Sequence, residues 1–366
     1  MSIDFSLERW DRLRETTDRW WARELGRPLI QVAVRDRDPG RPEPELPARH
    51  FAAFYDLDVP AEAVVDRWDW DLSCLRFPGD AYPTVWLNFG AGVLATILGA
   101  DLAMRPDQNT VWFHPDQETE VGDLHFEYDA GNPWLLRMKD LARAAMERWQ
   151  GLVQVGMTDL GGVLDVLSTF RPAERLLLDL YDHPDDLKRL IWEIHDLWFR
   201  CFDEINAVLQ PTNPGYSSWG NIFSAEPYYM LQCDFCYMIG PDMFEEFVRP
   251  ELAAACKRLG RSFYHLDGPG QLSHLDLLLT IEELDGVQWI PGAGAKGITE
   301  WPEIFGRIYE AGKLMQLYGG QDVLDAIAGQ IGDASGIVLT SGNYDDRDHR
   351  MEEVDRMTAK YGPENR

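Results

Sequence analysis

The chain has 366 residues, of which 45% are hydrophobic, and a formal net charge of −28. This length suits one large α/β domain, and the apolar fraction is ample for a buried core. A charge of this sign and size repels polyanions, so we expect no binding to nucleic acid or to anionic membranes, and a preference for small neutral or cationic ligands.

Cysteine usage and the N-terminal sequence predict a cytoplasmic protein. No run of eighteen or more apolar residues suggests a membrane span, and the charged N-terminus differs from the apolar core of a signal peptide. The five cysteines are few and odd in number. That argues against a disulfide framework and suits a reducing compartment.

Helical and strand-like segments alternate along the chain. A helix is predicted over 7–25, where tryptophan and leucine recur at helical spacing before Gly26-Arg27-Pro28. Eight apolar runs of strand length follow, beginning at Leu29, Pro83, Leu152, Met230, Arg261, Gly286, Lys313 and Gly336. The later runs are separated by amphipathic segments with helical spacing, at 185–208, 241–259, 299–311 and 322–330.

A repeated order of strand, helix and strand predicts parallel strands joined by crossovers. Eight such strands are the number found in a (β/α)8 TIM barrel. We therefore expect a single α/β domain over residues 1–366. Its parts are an N-terminal helical extension (1–28), the barrel (29–345) with an inserted segment after the second strand, and a C-terminal helix (346–366).

Polar or aromatic side chains recur where these predicted strands end. In a (β/α)8 barrel the chemistry takes place at the carboxyl ends of the strands. Asp and Asn also occur in helix caps and turns, but the recurrence of polar residues at one structural place predicts a pocket. The residues are Arg35, Asn88, Asp159, Asp234, His265, Asp267, Trp289, Gln321, Asp322 and Asn343.

Two His-Leu-Asp triplets lie nine residues apart, at 265–267 and 274–276. The first ends a predicted strand, so His265 and Asp267 face the same side while the chain stays extended. The second follows Gly268-Pro269-Gly270 and has helical spacing. We therefore predict a reactive site at His265 and Asp267, and a packing or capping role for His274 and Asp276.

Several motifs, in order and spacing, resemble the uroporphyrinogen decarboxylase superfamily, which includes corrinoid-linked methyltransferases. They include Arg27-Pro28 before the first strand, Asn88-Phe89-Gly90, and the long stretch GMTDLGGVLDVLSTFRPAERLLLDLYDHPDDL from Gly156. CDFCYMIGPDMFEEFVRPEL from Cys233, YHLDGPG and LTSGN complete the resemblance. It implies the (β/α)8 barrel and an active site at the barrel mouth.

Departures from the family pattern favour the methyltransferase branch over true decarboxylases. The arginine-rich decarboxylase signature is replaced by VAVRDRDPGR, in which only Arg35 and Arg37 are similar, and the second strand ends at Asn88. The thiol-activating methyltransferases hold zinc through His-x-Cys and a later Cys, where this chain has His265, Asp267 and Asn343. The resemblance thus implies a divalent metal, with zinc as one candidate, at His265 and Asp267; a metal-free acid–base pair is the alternative.

The function that this resemblance implies is transfer of a methyl group from a small methylated substrate to a separate corrinoid protein. His265, Asp267 and Asp234 would be catalytic, and Trp219 and Trp289 would flank the substrate. Arg35, Asn88, Asp159, Gln321, Asp322 and Asn343 would also bind it. Two alternatives stay open: a lyase or decarboxylase that grips a carboxylate or porphyrinogen-like substrate through Arg35 or Arg37, and a non-catalytic binding protein. A homodimer is compatible with each.

Overall fold

The computed structural model describes residues 3–115, 117–340 and 351–362. Its strands are, in chain order, β1 (Leu29–Gln31), β2 (Val34–Arg35), β3 (Leu75–Arg76), β4 (Thr84–Trp86), β5 (Ala100–Arg105), β6 (Thr110–Pro115), β7 (Gln154–Gly156), β8 (Tyr228–Gln232), β9 (Arg261–Asp267), β10 (Gly286–Ile290), β11 (Leu314–Tyr318) and β12 (Ile337–Thr340).

The helices pack around these strands. They are α1 (Leu7–Trp21), α2 (Ala61–Ser73), α3 (Leu94–Ile97), α4 (Pro133–Trp149), α5 (Val163–Phe170), α6 (Ala173–Asp182), α7 (Pro184–Leu209), α8 (Pro241–Met243), α9 (Arg249–Leu259), α10 (Leu275–Leu279), α11 (Pro302–Glu310), α12 (Gln321–Ile331) and α13 (Met351–Tyr361). In the described ranges no helix has both the length and the apolar character needed to cross a membrane.

A six-stranded parallel sheet forms the centre of the fold, in the order β1, β12, β11, β10, β9, β8. The predicted parallel arrangement is confirmed for these strands. The first and last strands of the series, β1 and β12, are neighbours, with Leu29 opposite Val338. β4 and β7 form a separate parallel pair, and within the described residues no strand ladder joins this pair to the sheet.

The segment 214–224 lies along the free edge of β7. Met157 N donates to Ser217 O at 2.9 Å, and Gln154 Nε2 donates to Gly215 O at 3.1 Å. The segment folds back on itself through an antiparallel bridge between Tyr216 and Ser224. It therefore occupies the space next to β7 and satisfies backbone groups that would otherwise be unpaired.

Two aromatic residues of α1 close the amino end of the sheet. Trp20 and Trp21 are buried and pack in one cluster with Leu29, Phe263 and Leu314. Leu29 and Leu314 are the first residues of β1 and β11, which places this cluster at the amino end of the strands. The opposite, carboxyl end is left for polar groups.

The predicted first strand, 29–35, is shorter than expected. Only Leu29–Gln31 joins the parallel sheet, while Val34–Arg35 turns away to pair antiparallel with β3. The predicted helix over 241–259 is interrupted by a π-helical turn at Phe244–Val248. This turn directly precedes Arg249-Pro250, where proline lacks the N–H that a regular α-helix needs. The insertion after β4 contains the antiparallel hairpin β5–β6.

Candidate functional site

Asp234, His265 and Asp267 lie together at the carboxyl end of the sheet, and we call them the Asp–His–Asp triad. Each offers one ligand atom, and these atoms all lie within 4.8 Å of one another. β9 continues to Asp267, so His265 and Asp267, two residues apart, face the same side. Asp234 lies two residues after the end of β8, the neighbour of β9.

A half-buried carboxylate, that of Asp165, holds the loop that carries Asp234. Asp165, in the first turn of α5, accepts hydrogen bonds from the backbone N–H groups of Asp234 at 3.0 Å and Phe235 at 2.8 Å. These two groups begin a short 3-10 helix over Asp234–Met238. Asp165 therefore caps this turn and fixes where Asp234 stands relative to β9.

The carboxylates at this end of the sheet influence one another. Burial raises the pKa of Asp159 to about 7, and the charges of Asp234 and Asp165 act in the same direction. Burial, together with the charge of Asp234, raises the pKa of Asp165 to about 7, although its backbone hydrogen bonds oppose the shift. The pKa of Asp234 is raised, because the effects of partial burial and of the Asp267 charge exceed the opposite effect of His265. Part of the Asp234 residue is nevertheless exposed to solvent.

Among the described residues, the charges that act most strongly on the pKa values of Asp159 and Asp165 are those of neighbouring carboxylates, and no lysine or arginine is among the strongest influences on Asp234. Clustered carboxylates without a counter-ion repel one another, so a cation placed among them would be stabilised.

Three glutamines lie in one row with His265 across four neighbouring strands. Gln232 is opposite His265, His265 is opposite Gln288, and Gln288 is opposite Gln316. We call Gln232, Gln288 and Gln316 the glutamine row; their exposures are 6%, 0% and 1%. Gln288 Oε1 is in contact with His265 Nδ1, and Gln232 Nε2 donates to Asp159 at 3.2 Å. Buried amides of this kind need such partners.

Trp219, from the 214–224 segment, covers one side of the triad. Its ring meets the His265 ring edge to face, with centroids 4.9 Å apart and planes at 82°. The aromatic contact limits rotation of the histidine ring.

A pocket of about 290 Å³ opens beside Asp234. It is lined by residues of three elements, among them Gly92, Gly161, Asp165, Gln232 and Asp234. Gly161 has φ +81 and would bring a Cβ within 2.6 Å of the Gly92 backbone, so only glycine allows this close approach. The pocket is of a size that suits a small molecule.

Two of the predicted substrate-binding residues have partners within the protein. Asn88 is buried; its amide donates to His50 O at 3.0 Å and accepts from Gly90 N at 3.2 Å, so it supports the loop after β4. Arg35 lies in β2 and donates to Asp71 at 3.1 Å.

Other predicted residues lie on different faces. Trp289 follows Gln288 in β10, so its side chain lies on the opposite face of the strand. There it belongs to the hydrophobic core and packs against Trp301, with ring centroids 5.2 Å apart. Gln321 begins α12, where its backbone N–H donates to Glu353, and Asp322 next to it is exposed. Asn343 lies outside the described residues. Of the predicted aromatic pair, the structure therefore brings only Trp219 against the triad.

The second His-Leu-Asp triplet has the structural role predicted for it. His274 is buried, stacks on Phe244 and contacts the carbonyl oxygen of Cys236 through Nε2 at 2.9 Å. Asp276 is exposed and pairs with Arg307 at 2.6 Å. Neither belongs to the group of side chains that could share a metal ion.

The donor atoms of the Asp–His–Asp triad fit a divalent metal. One imidazole nitrogen and two carboxylates are ligands that zinc and harder ions such as manganese accept, and three protein ligands leave a position open. Ligand atoms about 2.0–2.2 Å from one tetrahedral ion lie about 3.3–3.6 Å apart. The ligand atoms of the triad lie within 4.8 Å of one another, so binding of an ion would draw them together by side-chain rotation.

Comparison with solved structures identifies a similar fold in a methyltransferase from Methanosarcina mazei. The TM-score is 0.58 and the sequence identity 13%, and the match covers 95% of this chain and 97% of the other. No protein-family model and no curated protein matches the sequence. The two proteins thus share a fold over almost their full lengths, and the superfamily resemblance stays an interpretation of the motifs.

Proposed function

We propose that the protein is a methyltransferase that removes a methyl group from a small substrate at the Asp–His–Asp triad. The observation that carries this proposal is the convergence of Asp234, His265 and Asp267, whose ligand atoms lie within 4.8 Å of one another beside a pocket. The fold shared with a methyltransferase supports the reaction class. A corrinoid protein is the proposed methyl acceptor.

The proposed architecture is a (β/α)8 barrel with the triad at its mouth. In chain order the eight parallel strands would be β1, β4, β7, β8, β9, β10, β11 and β12. The pairing of β1 with β12 supports closure, and Asp80 N, which donates to Ile30 O at 3.2 Å, links the chain before β4 to β1. The 214–224 segment would fill the remaining gap between β7 and β8.

The charge of the site favours a cation among its carboxylates. Either a divalent metal held by the triad or the charged end of a methylated amine would relieve the repulsion among Asp159, Asp234 and Asp267. A bound metal would act as a Lewis acid on the heteroatom that carries the methyl group. Trp219 would pack against the apolar methyl groups of the substrate.

The chain's own residues would bind, orient and protonate the substrate. Asp234 and Asp267 would orient its positive end, and the methyl carbon would point out of the pocket toward the acceptor. When the bond from carbon to the heteroatom breaks, the heteroatom keeps the electron pair. Where no metal is bound, His265 in its doubly protonated form would supply a proton from Nε2 to a leaving group that would otherwise depart as an anion.

Contacts of the arginines count against the lyase alternative. That function needs a free guanidinium to grip a carboxylate. Arg35 is paired with Asp71, and Arg37 donates to Ser73 O at 3.2 Å. These interactions favour a structural role for both side chains.

The proposal is tested by following methyl transfer to a reduced corrinoid by absorbance, with a panel of methylated amines and methyl ethers, with and without added zinc or manganese. We expect turnover with at least one substrate. His265→Ala and Asp267→Ala should each lower kcat about a hundredfold or more, as loss of a general acid or an essential ligand does.

Asp276→Ala is the matched control, because it removes the aspartate of the other His-Leu-Asp triplet from an exposed ion pair. It should retain turnover within about threefold, since exposed pairs contribute little. Turnover of an identified substrate that survives both His265→Ala and Asp267→Ala would exclude the triad as the reactive centre. If chelator-treated protein turns over substrate without added metal, the cation at the triad is the charged end of the substrate and not a metal ion.

A further inference from the structure

Two buried glutamines connect a backbone carbonyl group to the histidine of the triad. Gln316 Nε2 donates to the carbonyl oxygen of Gly220, and Gln288 Nε2 donates to Gln316 Oε1 at 2.6 Å. Gln288 Oε1 then meets His265 Nδ1. Both glutamines are at most 1% exposed, so water does not compete for these hydrogen bonds.

The direction of these hydrogen bonds is fixed at the backbone end. A carbonyl oxygen only accepts, so Gln316 must turn its NH2 group toward Gly220 and its oxygen toward Gln288. Gln288 must then turn its NH2 group toward Gln316 and its oxygen toward His265. Since an amide oxygen also only accepts, the hydrogen between the last two residues belongs to His265 Nδ1.

The groups around this series of hydrogen bonds are compatible with only this direction. Gln316 Nε2 also lies 3.2 Å from Thr340 Oγ1, a hydroxyl that can accept its second hydrogen and donate its own to Leu317 O. If both amides were reversed, Gln316 Oε1 would face Gly220 O, and two acceptors would oppose each other in a buried place.

We infer that Gln288 and Gln316 are positioning residues that hold neutral His265 in the tautomer protonated at Nδ1. Neutral imidazole carries one N–H, so this tautomer leaves the lone pair of Nε2, the ring nitrogen that does not contact Gln288, available for a ligand. The edge contact with Trp219 keeps the ring in that orientation. The use of Nε2 for a metal or a proton rests on the proposed function, whereas the tautomer does not.

The direct test is nitrogen NMR of protein labelled with ¹⁵N-histidine, at a pH where histidine is neutral, with His265 assigned by its loss in His265→Asn. We expect Nδ1 to carry the hydrogen and Nε2 to be bare. Gln288→Met, which keeps the length but removes the acceptor, should shift the population toward the Nε2–H tautomer. A wild-type His265 protonated at Nε2 would overturn the inference without the need for any variant.

Two further variants separate positioning from general loss of packing. Gln316→Glu should keep the Nδ1–H tautomer, because a buried glutamic acid in its neutral form can donate to Gly220 O and accept from Gln288. Gln154→Met is the matched control: Gln154 is equally buried, but it bonds to Gly215 and Val155 instead of His265. It should leave the tautomer unchanged. A tautomer shift in Gln154→Met but none in Gln288→Met would contradict the assignment.

Binding of zinc alone provides a second readout. Gln288→Met should weaken zinc affinity about 10–100-fold, as loss of partners that orient a metal-binding histidine does. If wild-type His265 is protonated at Nδ1 but the protein neither binds zinc nor transfers methyl groups, the inference stands and the proposed function fails. If methyl transfer proceeds while His265 is protonated at Nε2, the proposed function stands and the inference fails.

Discussion

At the scale of single residues, the candidate site combines carboxylates whose burial works against their charge. Asp159 is 6% exposed and accepts hydrogen bonds from Gly161 N at 3.0 Å and Gln232 Nε2 at 3.2 Å. These two donors favour the charged form but do not outweigh the burial, because its pKa is raised to about 7. Above about pH 7 the buried Asp159 carboxyl is ionised, and this lowers the free energy of unfolding.

This cost predicts a specific pH dependence of stability. Between about pH 4 and pH 7 folded Asp159 holds its proton while the unfolded chain has lost it, so its contribution to stability falls as the pH rises. Asp159→Asn should therefore increase the free energy of unfolding at pH 8 by between about 1 and 4 kcal/mol, the upper end being three units at 1.36 kcal/mol each. Urea unfolding of both proteins at pH 5 and pH 8 measures it.

The comparison between the two proteins cancels the contributions of distant titrating groups, and leaves that of Asp159 together with its effect on Asp165 and Asp234. The stabilisation by Asp159→Asn should shrink by at least about 1 kcal/mol between pH 8 and pH 5, since ordinary protonation then replaces the substitution. A variant that is less stable than the wild type at pH 8, or a difference that is the same at both pH values, would contradict the raised pKa.

At the scale of secondary structure elements, much of the sheet could be predicted from the sequence. The run GVQWI coincides with β10, Gly286–Ile290, because a fully buried strand reads as a continuous apolar run bounded by a turn. His265 and Asp267 could be paired because side chains two residues apart in a strand share a face. The end of β1 at Gln31 could not be predicted from the sequence, because it depends on the pairing of Val34–Arg35 with the distant strand β3.

The glutamine row was missed although its signal is in the sequence. One glutamine stands inside each of the apolar runs LIQV, LVQV, MLQC, GVQW and LMQL. An isolated polar residue in a buried run needs a buried partner, so its repetition in five runs indicates a polar layer inside the sheet. Which glutamine bonds to which group depends on strand register, and this the sequence alone does not define.

The amino-end cluster of α1 with the sheet makes a prediction about stability. Trp20 is fully buried and stacks on Phe263 with ring centroids 6.2 Å apart. Trp20→Ala should lower the free energy of unfolding by about 3–5 kcal/mol, as large-to-small changes of buried aromatic residues do. Leu7→Ala, at a 56% exposed site of the same helix, should change it by no more than about 0.5 kcal/mol. Equal effects of the two in urea unfolding would place α1 outside the cooperative core.

At the scale of the whole molecule, the fold separates stability from chemistry along the strands. Apolar residues and two tryptophans fill the amino end, and the carboxyl end carries the glutamine row and the Asp–His–Asp triad. The net charge of −28 adds an attractive field for cations around that end. The central claim is that the triad is one cation-binding centre.

Equilibrium binding of zinc and manganese to chelator-treated protein tests that claim most directly. We expect one ion per chain, and an affinity about a hundredfold weaker in Asp267→Ala and in His265→Ala. Loss of a ligand should cost at least as much as loss of a residue that only hydrogen-bonds to a ligand, which lowers affinity about 10–100-fold. Asp276→Ala should bind as the wild type does. Binding that is unchanged by Asp267→Ala and His265→Ala, or no specific binding of either metal, would contradict the claim for a metal at the triad.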